Sequence, residues 1–210
     1  MKLNKFLEKK VCVVDYEIVN IASIENAIKY LGFQYEILKK PKNIDSFSHM
    51  ILPGVGSFRE ATKKLHKNGW AVAIKDFAKS NKPILGICLG MQLMFEFGFE
   101  DGESEGLGLF KGKCEIFAKG NFPLPHIGFN LVNHQNTKIW KNIVNPSPFY
   151  FVHSYRINSF DQDAIISKTF YGEDFVSFIE KENFYGAQFH PEKSGSVGLK
   201  LYENFLKFMT

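Results

Sequence analysis

The chain has 210 residues, 45% of them hydrophobic and 23% charged, enough to close one core without a disulfide or metal staple. Its formal net charge of +4, from 26 basic and 22 acidic residues, is too weak and too dispersed to point to nucleic acid. No apolar run reaches the roughly 18 residues that a membrane-spanning helix needs, so no membrane partner is expected.

In chain order, the basic stretch Lys5 to Lys10 comes first, interrupted by Phe6, Leu7 and Glu8. It reads as a solvated N-terminal segment, since no apolar core or cleavage site follows it. Residues 11–16 (VCVVDY) read as a buried strand. Residues 20–32 (NIASIENAIKYLG) carry apolar side chains at helical spacing and stop at Gly32. Residues 33–38 (FQYEIL) return to strand, and 49–56 (HMILPGVG) form a short strand running into a glycine-rich loop. Residues 57–69 (SFREATKKLHKNG) and 70–81 (WAVAIKDFAKSN) read as two helices. Residues 83–87 (PILGI) are again a buried strand, and 89–98 (LGMQLMFEFG) turn helical. Such alternation implies βαβ units and a parallel sheet covered on both faces.

The second half changes character. GKCEIFA, PHIGFNLV, FYFVHSYRI, AIISKTF, FVSFIEKEN and FYGAQFH are short, aromatic and β-branched, and turn residues separate them. They predict strands in a mixed or antiparallel arrangement. An amphipathic helix over about 197–208 follows. No repeat, linker or low-complexity tract interrupts the chain, so the expectation is a single α/β domain over residues 1–210.

Three cysteines, Cys12, Cys88 and Cys114, without a secretion signal favour reduced thiols and a cytoplasmic location. No Cys-x-x-Cys or clustered Cys/His pattern is present, so a structural zinc site is not expected; no other metal and no cofactor is expected either. Cys88 stands apart: Gly86-Ile87-Cys88-Leu89-Gly90 places a thiol at a strand-to-helix corner between two small residues. The following helix points its free N–H groups at the sulfur, which favours thiolate, and the Leu89 N–H is positioned to meet an oxyanion. Taken alone, the same pattern suits a buried structural cysteine.

A thiol nucleophile needs a base. Of six histidines, His66 lies in a lysine-rich helix, and His49 and His134 sit among polar loop residues with no evident partner. His190 ends an apolar strand in GAQFHPEKSG, and Glu192 follows two positions on. On an extended chain those two side chains face the same way, so the carboxylate could orient the imidazole. A strand-end histidine beside a solvated acid is the alternative. The loop LPGVG (52–56) could offer backbone N–H groups to an anion, and it lacks the signatures of nucleotide binding.

Together PGVGSF, GICLGMQLMFE, PHIGFN, VHSY and QFHPEKSG resemble, in order, the motifs of class I glutamine amidotransferases. The likeness runs from about Val11 to Phe208 and is strongest to the glutaminase subunits of imidazole glycerol phosphate synthases. The resemblance implies a flavodoxin-like fold and hydrolysis of glutamine to glutamate and ammonia through a thioester on Cys88. His190 would serve as acid and base, and Glu192 would hold it. It implies oxyanion donors at Leu89 and at Val55 of the Gly54-Val55-Gly56 loop, which would switch into place with a partner. It implies glutamine contacts at Gly56, Gln92, Glu100, His153, Ser154 and Tyr155. Glu100 and His153 could instead be a solvated acid and a satisfied core histidine.

The resemblance further implies a (β/α)8-barrel synthase as partner, receiving ammonia near PHIGFN (with Phe129 and Asn130), Lys193 and Asn20. The match departs from the family at DYEIVN (15–20), where Glu17 and Val19 occupy glycine places, and at Phe129, where a tryptophan is usual. A paralogue supplying a different acceptor, such as a surface sugar, stays open on that account. So does a free-standing cysteine hydrolase; a non-catalytic module would have lost part of the triad.

Overall fold

The computed structural model describes residues 9–118, 120 and 122–208, so the basic stretch 5–10 lies outside the described residues except for Lys9 and Lys10. The first half comprises β1 (Lys10–Val14), α1 (Ile21–Tyr30), β2 (Gln34–Leu38), β3 (His49–Leu52), α2 (Phe58–Lys67), α3 (Trp70–Lys79), β4 (Ile84–Ile87), α4 (Leu89–Leu93) and β5 (Phe95–Gly98). The second comprises β6 (Ser104–Glu105), β7 (Phe110–Ile116), β8 (His126–Val132), β9 (Ser147–His153), β10 (Tyr155–Phe160), β11 (Ile165–Tyr171), β12 (Glu173–Lys181), β13 (Phe184–Ala187) and α5 (Gly195–Phe208).

The main sheet has seven strands in the order β11-β12-β13-β4-β3-β1-β2. Strands β2, β1, β3, β4 and β13 run parallel, and β12 and β11 continue the sheet antiparallel. Alternation in β1 shows why Val11 to Val14 are all apolar. Val11 and Val13 pack with α1 and α5, whereas Cys12 and Val14 pack with α2, α3 and α4 on the other face. Helix α2 starts where Ser57 accepts a hydrogen bond from the Glu60 N–H. Among the described residues no helix is long and apolar enough to cross a membrane.

The remaining strands form a four-stranded sheet, β10-β7-β5-β6, and a two-stranded ribbon, β8-β9. Two predicted elements are corrected. The helix expected over 89–98 ends at Leu93 and β5 follows. The N–H groups of Gly106, Leu107, Gly108, Leu109 and Phe110 take the carbonyls of residues 93–96, so the returning chain competes with further helical turns. FYFVHSYRI is two strands in different sheets: β9 pairs with β8, and after Ser154 β10 pairs with β7. His49 and His134 are also partnered. His49 is buried at the start of β3 against Phe205, with Nδ1 2.9 Å from Ser48 Oγ. His134 stacks on Trp140 at 4.2 Å.

Candidate active site

Cys88 leaves β4 with φ 53° and ψ −114° and opens the five-residue helix α4. The flanking glycines answer to close packing. A Cβ on Gly90 would lie 1.8 Å from the Leu52 carbonyl oxygen, and one on Gly86 would lie 2.5 Å from Met94 Sδ. Parallel pairing of β4 with β13 aligns Ile87 with Ala187, and the Cys88 N–H donates to Ala187 O at 2.7 Å. Cys88 and the His190 segment therefore meet because their strands are neighbours at the carboxyl edge of the sheet.

His190 Nδ1 lies 2.7 Å from Glu192 Oε1, with both side chains buried. The chain is not extended there; Pro191–Lys193 form a 3-10 turn, and it is this turn that swings the carboxylate onto the imidazole. Tyr202 Oη donates to Glu192 Oε2 at 3.4 Å, and the His190 N–H donates to Tyr150 O at 2.8 Å. His190 Nε2 is buried without an ordinary hydrogen-bond partner among the described residues. Burial opposes protonation of this imidazole, but the negative charge of Cys88 and the Glu192 carboxylate together raise its pKa to about 10.

A cavity of about 320 Å³ opens over these groups. Its walls include Cys88, Leu89, Gln92, Val55, Gly56, Glu100, His153, Ser154, Tyr155 and His190, so most of the residues expected at the site come together. Pro125 and Val152 complete the lining. Gly54 stands behind the wall, where a Cβ would lie 2.6 Å from Tyr16 Oη and 2.8 Å from the Gly90 nitrogen. Glu100 is no freely solvated acid: Oε2 accepts from the Phe58 N–H at 2.8 Å, and burial raises its pKa despite that bond. Gln92 Nε2 donates to Tyr155 O at 3.1 Å and to Gln188 Oε1 at 2.9 Å, which leaves its oxygen as the side-chain atom for a ligand.

Val55 is engaged elsewhere. Its N–H donates to Ile18 O at 3.3 Å, so it does not serve an oxyanion in this conformation. His153 is buried and paired, with Nδ1 2.8 Å from Tyr155 O and Nε2 3.1 Å from His126 Nδ1. Burial lowers the pKa of His153 to about 3 and that of His126 to about 4.

On β8, Ile127, Phe129 and Leu131 are exposed on one face, Phe129 to 63%. Asn130 turns to the other side, where Nδ2 donates to Phe170 O at 2.9 Å and lies 3.5 Å from His126 Nε2. Lys193 and Asn20 are exposed, the former 5.6 Å over the Tyr150 ring. Glu17 has φ 79°, the left-handed conformation that accounts for a glycine at that place; its N–H donates to Asp15 Oδ1 and its carboxylate pairs with Lys64. Two buried residues of the site, Gln188 and His126, had no role assigned from sequence. A lone amide inside the apolar run FYGAQFH was the available signal, because a buried amide must find partners.

The chain matches the family model described as glutamine amidotransferase class-I over residues 12–208. It is 45% identical over 194 residues to the imidazole glycerol phosphate synthase subunit HisH of Caldanaerobacter subterraneus subsp. tengcongensis, covering 92% of this chain and 95% of that protein. The subunit of the same name from Sulfurimonas denitrificans is 44% identical over 202 residues, covering 94% of this chain and 98% of that one. Among solved structures, PurLQS from Thermotoga maritima superposes with a TM-score of 0.78 at 20% identity, covering 97% of this chain and 100% of that chain. A structure described as a glutamine amidotransferase gives 0.75 at 16% identity, covering 93% and 97%. At those identities the structural likeness is one of fold. Matched along nearly its whole length, the chain belongs to the class I glutamine amidotransferase family and is an enzyme of that class.

Proposed function

We propose that this chain is the glutaminase subunit of an imidazole glycerol phosphate synthase in histidine biosynthesis, working in the cytoplasm as a single 1–210 domain. The observation that carries the reading is that Cys88 and His190, distant in the chain, line one cavity, with Glu192 bonded to the far side of the His190 ring. Relatives named as that subunit, at 45% and 44% identity, support it.

In this reading the Cys88 proton passes to His190 Nε2, and the sulfur attacks the side-chain amide carbon of glutamine. The carbonyl electron pair moves to oxygen and is met by the Leu89 N–H. When the intermediate collapses, the amide nitrogen takes the proton from His190 and leaves as ammonia, and a glutamyl thioester stays on Cys88. His190 then draws a proton from water, whose oxygen attacks the thioester; the sulfur leaves and glutamate is released. Glu192, accepting from Nδ1–H, keeps Nε2 free for both transfers. Glu100 suits the substrate α-amino group, Gln92 Oε1 can accept from the same group, and Gly56 and the main chain of residues 153–155 suit its carboxylate end.

The Val55 N–H is a second oxyanion donor only after its bond to Ile18 O breaks. A partner that re-sets this loop would therefore switch the reaction on. The exposed apolar row Ile127, Phe129 and Leu131, with Lys193 and Asn20, supports a (β/α)8-barrel synthase as that partner. Docking there would carry ammonia to the acceptor before it becomes ammonium. The test is a glutaminase assay of the purified chain alone, then with the barrel synthase and its ligand, scored for glutamate and for imidazole glycerol phosphate. Full activity without a partner, or ammonia delivered only to another synthase, would contradict the reading.

A further inference from the structure

Gln188 has no part in the reaction as written, yet it is fully buried beside the nucleophile. A buried amide must match donors to acceptors, so its neighbours decide which end faces which way. The order is set at Tyr155 O, a carbonyl that can only accept. Gln92 Nε2 gives one N–H to that carbonyl and the other to Gln188 Oε1. With its oxygen so engaged, Gln188 turns Nε2 toward Cys88 Sγ, 3.8 Å away. Reversing the Gln188 amide would set two N–H donors against each other and an oxygen against the sulfur. Tyr155 O is itself held by His153 Nδ1 at 2.8 Å, so the anchor is braced from a second side.

Besides the His190 imidazole, the sulfur has among the described residues a further polar neighbour, the Val152 carbonyl, to which the thiol donates at 3.8 Å. The two contacts discriminate between protonation states. Loss of the thiol proton removes the bond to Val152 O and strengthens the bond from Gln188, because a donor to an anion is worth more than a donor to a neutral sulfur.

We propose that Gln188 is a donor to the Cys88 sulfur that favours its thiolate, and that Gln92 is the positioning residue that aims it from the Tyr155 carbonyl. The inference rests on the reading of Cys88 as nucleophile and adds two side chains to the machinery that prepares it.

The test is alkylation of Cys88 by iodoacetamide in the full-length protein from about pH 5 to about pH 10, with the modified peptide quantified by mass spectrometry. Wild type is compared with Gln188→Met, which keeps the volume and loses the donor, and with Gln188→Glu, which sets a carboxylate oxygen against the sulfur. The curve of rate against pH is expected to move up by about one unit in Gln188→Met, about a tenfold loss on its acid side, and further in Gln188→Glu. Thermal melting identifies variants that fold. If neither does, Gln92→Met leaves Gln188 in place but frees its amide to turn, and a smaller shift in the same direction is expected. An unmoved curve in a folded Gln188 variant, or in Gln92→Met where those do not fold, overturns the inference. The measurement uses no glutamine. A shifted curve in a protein without glutaminase activity would keep the inference and remove the proposed function; normal glutaminase activity with an unmoved curve would do the reverse.

Discussion

Cys88 combines a reactive group with a backbone conformation that L residues avoid, φ 53° and ψ −114°. Holding a side chain there costs about 1–2 kcal/mol, energy that the surrounding packing must offset. Both Cys88→Ala and Cys88→Gly are expected to fold and to lose glutamine hydrolysis. The glycine variant is expected to be the more stable by about that amount, and urea unfolding of the pair measures it; equal midpoints would mean that the corner is unstrained. Glu192→Gln keeps the shape of the Nδ1 partner and removes its charge, so kcat is expected to fall about a hundredfold with little change in KM. Steady-state kinetics decide, and an unchanged kcat would remove Glu192 from the proposed triad. These three residues were legible in the sequence because each belongs to a short local pattern. Gln188 was not, because its side-chain partners Gln92 and Cys88 come from elsewhere in the chain.

The elements carry the site through close approach and cross-strand pairing. Helix α4 lies so near the end of β3 that a methyl group on Gly90 collides with the Leu52 carbonyl, whose backbone cannot give way cheaply. Gly90→Ala is expected to destabilise the fold by about 3 kcal/mol or more, and the midpoint of urea unfolding checks this. In the β8-β9 ribbon, His126 and His153 sit opposite each other and are buried neutral. Their folded pKa values lie below the ordinary 6.5, so from pH 6.5 down toward 4 the unfolded chain binds protons that the folded chain refuses. Stability is therefore present above that range and falls as the pH drops, by about 2 kcal/mol for each histidine between pH 7 and pH 5. Urea unfolding at the two pH values tests it, and equal midpoints would show that the pair titrates normally. The pairing was hidden in the sequence because FYFVHSYRI looks continuous, whereas the chain changes sheets after Ser154.

For the whole molecule, the Val55–Ile18 bond ties the proposed oxyanion loop to the segment after β1, in which Glu17 is paired with Lys64. One missing oxyanion donor is worth about a hundredfold or more in rate. The isolated chain is therefore expected to turn over glutamine about a hundredfold more slowly than the chain with the proposed synthase partner and its ligand, and a change below about tenfold would count against a switched loop. Apolar spacing and turn residues alone determined the order of strands and helices as far as β4, the parallel first half and the corner bearing Cys88, since these depend on near neighbours, but they missed β5 and ran β9 into β10. Only the tertiary structure decided that β13 lies beside β4, that the Val55 N–H is already engaged, and that Glu100 and Gln188 face the cavity and the sulfur. Those outcomes depend on which distant donors meet which acceptors once water is excluded, and no local pattern encodes that.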